Sequence, residues 1–407
     1  MMTQFRMGIG GAVMLLGLAL GLPTTGHCED VLALDPSIQL SSVSLAMQES
    51  LKAGEFSGSV TAVLHRGELV HLHANGLADI ESGRPMDVNT RFSIASMTKP
   101  IAATGLMMLV EAGQIAIDDS VATYLPAFAN VRMENGEELQ RSITIRDVLT
   151  HTSGLAGSQA VPSTLAEAVD KLAGGTLRFQ PGSKWQYSAG LNVAGRIIEV
   201  VSQMPLEDYM EQRIFRPLQM SDTTFYPTKA NQEQLATIYR PGDMPGSLIP
   251  TPNHIIDLDD IRGPSPSGGL ISTASDLLKF YRMILDGGTT ATGMRIIDRE
   301  TIDSMTTPVT GDLVTGFTPG NAWGLGWCVL VEPQGVTAML NPGTFGHGGA
   351  FGTQGWIDPV TETVYVLLIQ RTKFGNSDAS DVRRSFQGAA ANELGITYTK
   401  MSSTSLP

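Results

Sequence analysis

The sequence predicts an α/β (α+β) fold, in which an antiparallel sheet flanked by helices is built from both chain ends and a mostly helical region lies between. Three observations carry this. Residues 57–79, SGSVTAVLHRGELVHLHANGLAD, read as a β-hairpin. Residues 322–371 hold alternating or continuous apolar runs parted by Asp-Pro and Gly turns, the pattern of antiparallel strands. Between them, residues 116–260 carry short stretches with apolar residues at helical spacing, broken by Gly- and Pro-rich loops. The expected boundaries are 1–28 for a leader, 29–115 together with 261–407 for a discontinuous sheet region, and 116–260 for the helical region.

Composition sets the outer limits. A chain of 407 residues has ample material for a buried core, and 42% hydrophobic against 16% charged residues reads as globular. The net charge is −13, with no Lys/Arg run after the first residues. That argues against nucleic acid or an anionic membrane surface as partner, since both need a basic patch. The leader, MMTQFRMGIGGAVMLLGLALGLPTTGHCED, has one early Arg6, an apolar run from Met7 to Leu22, then small and polar residues. This is the layout of a secretory signal peptide, with cleavage expected between Gly26 and Asp30. A periplasmic or secreted protein without stable membrane insertion is therefore expected. Cys328 then stands without an assured partner, and no internal disulfide is expected.

The elements follow in order. Val60 to His65 and Leu69 to His73 form the hairpin around an Arg66-Gly67 turn. Ser96 to Ala112 is a strong helix, and Pro100 falls in its first turn, where the missing N–H had no intrahelical partner. ITIRDVLTHTSGL, LAEAVDKLA and LNVAGRIIEVVSQ supply the middle helices. GPSPSGGLISTASDLLKFYRMIL is a loop and then a helix capped by Ser272 or Thr273, with Asp276 in its first turn. AWGLGWCVLVEP, FGTQGWIDP and ETVYVLLIQR are the late strands, and DVRRSFQGAAANELG is a closing helix.

The chemistry is concentrated at SMTK, residues 96–99. Positions i and i+3 share a helix face, so the Ser96 hydroxyl and the Lys99 amine come within hydrogen-bonding reach. If that helix is buried, desolvation lowers the lysine pKa and lets it take the serine proton. The plain alternative is a capping serine with a solvated lysine, and S-x-x-K alone does not separate the two. Three further stretches bear on it. PGSKWQYSAGLN places Tyr187 just ahead of a helix, where a tyrosine near a lysine can serve as general base or acid; otherwise it is a half-buried aromatic. FGHGGAFGTQGW puts His347 before Gly348 and Gly349 at a strand, where backbone N–H groups can approach a ligand; otherwise it is a hairpin turn. SPSGGLIST is a small-residue loop entering a helix.

This set, in this order, resembles the serine β-lactamase and penicillin-binding-protein superfamily. The likeness is strongest to its class C β-lactamase-like branch, which includes D,D-peptidases, D-aminopeptidases and family VIII-like carboxylesterases. SMTK matches the first element, Tyr187-Ser188-Ala189 stands where the branch carries Y-x-N, and His347-Gly348-Gly349 where it carries K-T-G or H-x-G. HTSGL at 151–155 and SGGLISTASDL at 267–277 look like its structural signatures. The resemblance implies a β-lactamase/transpeptidase-like fold without cofactor or metal. It implies Ser96 as nucleophile of an acyl-enzyme, Lys99 as its activator and Tyr187 as proton relay. It further implies an oxyanion hole from the N–H groups of Ser96 and Ala350, and His347 orienting Tyr187 or touching substrate together with Gly348 and Gly349.

Two departures shape the substrate expectation. Ala189 lacks the asparagine amide, and His347 replaces a lysine, removing a permanent charge that would grip a carboxylate; that loss should weigh less at low pH, where histidine is protonated. The expected activity is therefore a carboxylesterase on short acyl esters, with a β-lactamase or D-amino-acid peptidase as the alternative. A non-catalytic peptidoglycan- or β-lactam-binding module would be expected to have lost Ser96, Lys99 or Tyr187, and all three are present. A metal site at His71 and His73 lacks an accompanying carboxylate or cysteine cluster. An α/β-hydrolase would need a G-x-S-x-G elbow, which is absent.

Overall fold

The hairpin forms as its turn chemistry dictates. Arg66 and Gly67 both take positive φ, 51° and 79°, the primed turn whose twist matches that of the flanking strands. The computed structural model describes residues 39–157, 164–261, 263–316 and 318–396, and the expected signal segment lies outside them. The hairpin strands are β1 (Gly58–His65) and β2 (Glu68–Asp79), longer than the pattern predicts, followed by the short β3 (Arg84–Pro85). The late strands are β4 (Asn321–Trp323), β5 (Cys328–Leu330), β6 (Phe345–Gly348), β7 (Gln354–Asp358) and β8 (Thr363–Leu368). They join one eight-stranded sheet in the order β4-β5-β6-β7-β8-β1-β2-β3, with every neighbouring pair antiparallel. The seam between the chain ends is β8 against β1, where Val63 faces Tyr365.

One expected run, residues 322–333, divides into two strands. Gly326 donates its N–H to Leu149 at φ 85°, and a Cβ there would lie 2.2 Å from Ala103. The chain must therefore turn where it meets the central helix, and only glycine fits that approach.

Five longer helices are formed among the described residues, of which α1 (Ser41–Lys52), α2 (Thr98–Glu111), α4 (Ala274–Leu285) and α5 (Asp381–Glu393) touch the sheet and α3 (Gly190–Ser202) packs on α2. Strand alternation assigns them to faces. Trp356, Tyr365 and Leu367 join Val43 and Met47 of α1 and Val382, Phe386 and Ala390 of α5 in one apolar cluster. Gly355, next to Trp356, points the other way, where a Cβ would meet the Tyr281 hydroxyl of α4 at 2.1 Å. The Glu393 carboxylate at the end of α5 accepts from the N–H groups of Ser41 and Ser42, capping α1 from across the layer. Of the two candidate caps for α4, Thr273 accepts from the Asp276 N–H.

Helix α2 is buried on every side from Thr98 to Leu109. A helix apolar all round belongs inside a protein; α2 packs against α3, and Gly105 also lets Met210 of the following short helix, Leu206–Met210, come close. Among the described residues no helix is long and apolar enough to cross a membrane. Cys328 is free and buried.

Phe386 is fully buried between α5 and the sheet. Phe386→Ala is expected to cost about 3–5 kcal/mol through lost burial and the cavity left behind. Urea denaturation checks this; a change below about 1 kcal/mol would mean that this layer does not hold the sheet.

Candidate active site

A one-turn 3-10 helix, Ala95–Met97, precedes α2 and carries Ser96. Ala95 sits at φ 48°, a costly conformation for a residue with a Cβ. Backbone from three directions holds it there. The Ile94 N–H donates to Leu270, and Leu270 N–H to the Thr98 hydroxyl. The Thr353 hydroxyl donates to the Ile94 carbonyl. A Cβ on Gly349 would lie 2.5 Å from that carbonyl, so the end of β6 can abut this turn only as glycine. Ser96 is left half-buried, while its neighbours from Phe92 to Pro100 are buried.

Lys99 Nζ lies 3.0 Å from Ser96 Oγ and donates to the Ser267 carbonyl, which fixes the amine at the expected spacing. The side chain has no exposure. Burial lowers its pKa from 10.5 to about 7, with Asp378 opposing. Half of such a lysine is neutral at pH 7, so the solvated-lysine alternative does not apply. Lys99 also sits 4.5 Å above the Tyr187 ring. The loop carrying Ser267 is held in turn by Asn192 of α3, whose carboxamide oxygen accepts from the Ser267 N–H at 3.0 Å.

Tyr187 is brought to the same point from the loop before α3. Its hydroxyl is hydrogen-bonded with Ser96 and lies 3.4 Å from His347 Nε2. Burial pushes its pKa far above the usual phenol value, with the Ser96 hydrogen bond opposing and the Asp378 charge adding. Tyr187 is therefore a neutral hydroxyl that can pass a proton on, and not a resident phenolate base.

His347 Nδ1 lies 2.6 Å from the Gly348 carbonyl, which only a protonated Nδ1 can satisfy. Its Nε2 is then the acceptor facing Tyr187. Burial, then the Lys99 charge, lowers its pKa to about 3, the Gly348 carbonyl opposing. The expectation that mild acid restores a charge at this position is thereby corrected: His347 stays neutral throughout the ordinary pH range. Gly348, Gly349 and Ala350 line the cleft beside Ser96, with Ala350 exposed at the turn after β6. The cleft has a volume of about 520 Å³, within the roughly 300–1,000 Å³ of small-molecule sites.

Three further residues belong to this site. Asn192 is a buried polar residue amid the apolar face of α3, a signal legible in the sequence. His151, of the HTSGL stretch, is fully buried with its ring 4.4 Å from that of Tyr187. Its Nδ1 accepts from the Ser188 N–H, and burial, Lys99 and His347 keep it neutral. Asp378 lines the cleft from the one-turn helix before α5, where the sequence shows only capping residues. His71 holds the Leu40 N–H and the Thr61 hydroxyl, and no metal-binding cluster exists among the described residues.

The Beta-lactamase family profile matches residues 43–390. Protein Rv1367c of Mycobacterium tuberculosis is 32% identical over 368 residues, 82% of this chain and 91% of that protein. Esterase EstB of Burkholderia gladioli is 30% identical over 384 residues, 84% of this chain and 94% of that protein. Among solved structures, EstCE1, a hydrolase with promiscuous acyltransferase activity, superposes with a TM-score of 0.74 at 25% identity. It covers 86% of this chain and 97% of its own.

Burying Lys99 has a stability consequence whose sign is fixed. The unfolded pKa is 10.5 and the folded one about 7, so the penalty is full below pH 7, shrinks between 7 and 10.5, and vanishes above. Lys99→Met is expected to stabilise the fold by about 1–3 kcal/mol at pH 6, the relieved charge outweighing the unpaired Ser267 carbonyl. Urea titrations at pH 6 and pH 9 check this; a gain that fails to shrink at pH 9 would contradict the assigned burial.

Proposed function

This chain belongs to the β-lactamase family of serine hydrolases, and we propose that it cleaves short acyl esters through an acyl-enzyme on Ser96. The observation that carries this reading is the fully buried Lys99 amine, 3.0 Å from the Ser96 hydroxyl with its pKa lowered to about 7. In its neutral form the amine offers a lone pair to the Ser96 proton while one N–H stays on the Ser267 carbonyl.

The sequence of events follows from these contacts. Ser96 Oγ attacks the ester carbonyl as its proton passes to Lys99. The new oxyanion meets the N–H groups of Ser96 and Ala350. Tyr187, positioned by His347, gives its proton to the departing alkoxide and is restored from the lysine ammonium. Water then repeats the steps in reverse order, releasing the acid and freeing Ser96. No other group needs to change charge.

The preference for esters rests on two side chains. Ala189, buried at the start of α3, offers no amide to an acyl-amide substrate, and the neutral His347 offers no charge to a carboxylate. One lost hydrogen bond is worth about 0.5–1.5 kcal/mol, enough to weaken amide-bearing substrates by roughly tenfold without excluding them. EstB, an esterase by name, supports the same direction.

The decisive test is a panel on the purified protein: p-nitrophenyl esters, a chromogenic cephalosporin and D-alanyl amides. kcat/KM for a short-chain ester is expected to exceed that for the cephalosporin at pH 5 and pH 8 alike, and Ala189→Asn is expected to narrow the gap. A cephalosporin or D-amino-acid amide turned over faster than every ester would replace esterase by the alternative reading. Ser96→Ala is expected to abolish turnover, and an organophosphorus adduct persisting in that variant would reassign the nucleophile.

The pH profile supplies a separate check. Because the neutral amine is the working form, kcat/KM is expected to fall about tenfold per pH unit below an apparent pKa near 7. A profile flat from pH 5 to 9 would remove Lys99 as the base.

A further inference from the structure

The cleft that holds Ser96 contains a carboxylate that the acyl-transfer steps do not use. Asp378 is 4% exposed, yet it lines the cavity together with Ser96, Tyr187 and His347. It lies directly on the strand that carries His347: a Cβ on Gly348 would fall 1.6 Å from its Oδ1. The Gly348 position thus leaves room for the carboxylate, which reaches the cleft wall.

Its partners inside the protein are weak. The Gln354 side-chain N–H₂ reaches Oδ1 at 3.3 Å, and the same group also donates to the Ser377 carbonyl at 3.1 Å. Gln354 cannot turn to serve Asp378 better, because its oxygen is held by the Trp356 indole N–H at 2.8 Å. Arg383 is near, but its guanidinium donates to the Asp378 backbone carbonyl and to Gln387, and it lies over the Trp356 ring. Burial raises the Asp378 pKa, with Arg383, the Gln354 hydrogen bond and Lys99 opposing. The other charged or titratable groups on the cavity wall are His254 and Lys373, and Lys373 is exposed, where solvent screens it.

No ion pair at contact distance holds this cavity-facing carboxylate among the described residues, although the Arg383 and Lys99 charges favour its ionised form from farther away, and its low-dielectric surroundings make its field strong. We propose that Asp378 selects substrates bearing a positive charge, so that the preferred esters of this site carry an ammonium or quaternary ammonium group in one arm. The proposal rests on the ester-hydrolase reading above and adds to it the charge of the substrate. It also gives the site the opposite polarity to one built to grip a substrate carboxylate.

The test uses isosteric pairs differing by one charge. Acetylthiocholine and 3,3-dimethylbutyl thioacetate carry the difference in the leaving arm. The ethyl ester of trimethylammonio-acetic acid and ethyl 3,3-dimethylbutanoate carry it in the acyl arm. In at least one pair the cation is expected to be preferred by about tenfold or more in kcat/KM, the scale of a charge-assisted contact. Asp378→Asn, nearly identical in shape, is expected to bring that ratio to within about twofold of one. Aromatic faces such as Phe374 also attract cations, so a preference that survives in the variant would overturn the assignment to Asp378. A variant that shifts only the pH profile would also overturn it, leaving the carboxylate as a counter-charge to Lys99. The leaving-arm pair made as thiol-releasing phosphonates, with adducts on Ser96 counted by intact-mass spectrometry, separates the two readings. Labelling of Ser96 with no charge preference in either ester pair overturns this inference alone, whereas no labelling and no ester turnover overturns both.

Discussion

An amine sealed from water is the constraint on which the rest of this structure depends. Moving a lysine from 10.5 to about 7 disfavours its charged form by roughly 5 kcal/mol, a substantial fraction of the stability of a typical domain. The fold bears this because Lys99 is placed where no alternative to burial exists. It stands in the first turn of a helix buried on every side, beneath a loop whose Ser267 carbonyl takes one of its protons. The amphipathic pattern usual for a surface helix would have let the lysine reach solvent. An all-apolar helix does not.

Around that amine, the neighbouring bases are held neutral by the same two causes. His347 and His151 are both buried, and the Lys99 charge lowers the pKa of each. Three basic groups in one dry pocket can share only one added proton at reasonable cost. In the proposed mechanism this directs the proton taken from Ser96 to the group closest to it, Lys99. Tyr187, with its own pKa driven far upward, cannot compete as a base and is left to transmit. Hydrogen-bond geometry sets the tautomers: the Gly348 carbonyl places the proton on Nδ1 of His347, and the Ser188 N–H keeps it off Nδ1 of His151.

Backbone approach supplies the other half of the design. Strand β6, the 265–272 loop and the turn at Ala95 converge so closely that side chains are removed where they meet. Gly349 abuts the Ile94 carbonyl, Gly268 lies against Ala95, and Gly348 admits the Asp378 carboxylate. The positive φ at Ala95 is the local strain that aims Ser96 into the cleft. It persists because the pairing of Phe92–Ser93 with Ile271–Ser272 fixes the chain on either side.

By itself, the sequence determined what short-range pattern can determine: the hairpin at Arg66-Gly67, the sheet from both ends, a helix just after Ser96 (which begins at Thr98, with Ser96 itself in a 3-10 turn) and the i, i+3 relation of Ser96 to Lys99. The motif resemblance added Tyr187 and His347. Spacing could not say whether Lys99 was solvated, because burial is a property of everything packed around α2 and not of four residues. Nor could it give the neutral state of His347, which depends on Lys99 and on the Gly348 carbonyl. Asn192 was legible as a polar residue on an apolar helix face, yet its partner Ser267 lies far along the chain. Asp378 was not legible at all, since a short acidic turn before a helix is ordinary capping sequence. Only the tertiary structure carries it onto the strand beside Ser96, because its place on the cleft wall depends on how the turn before α5 packs against Gly348, a contact between segments far apart in the chain.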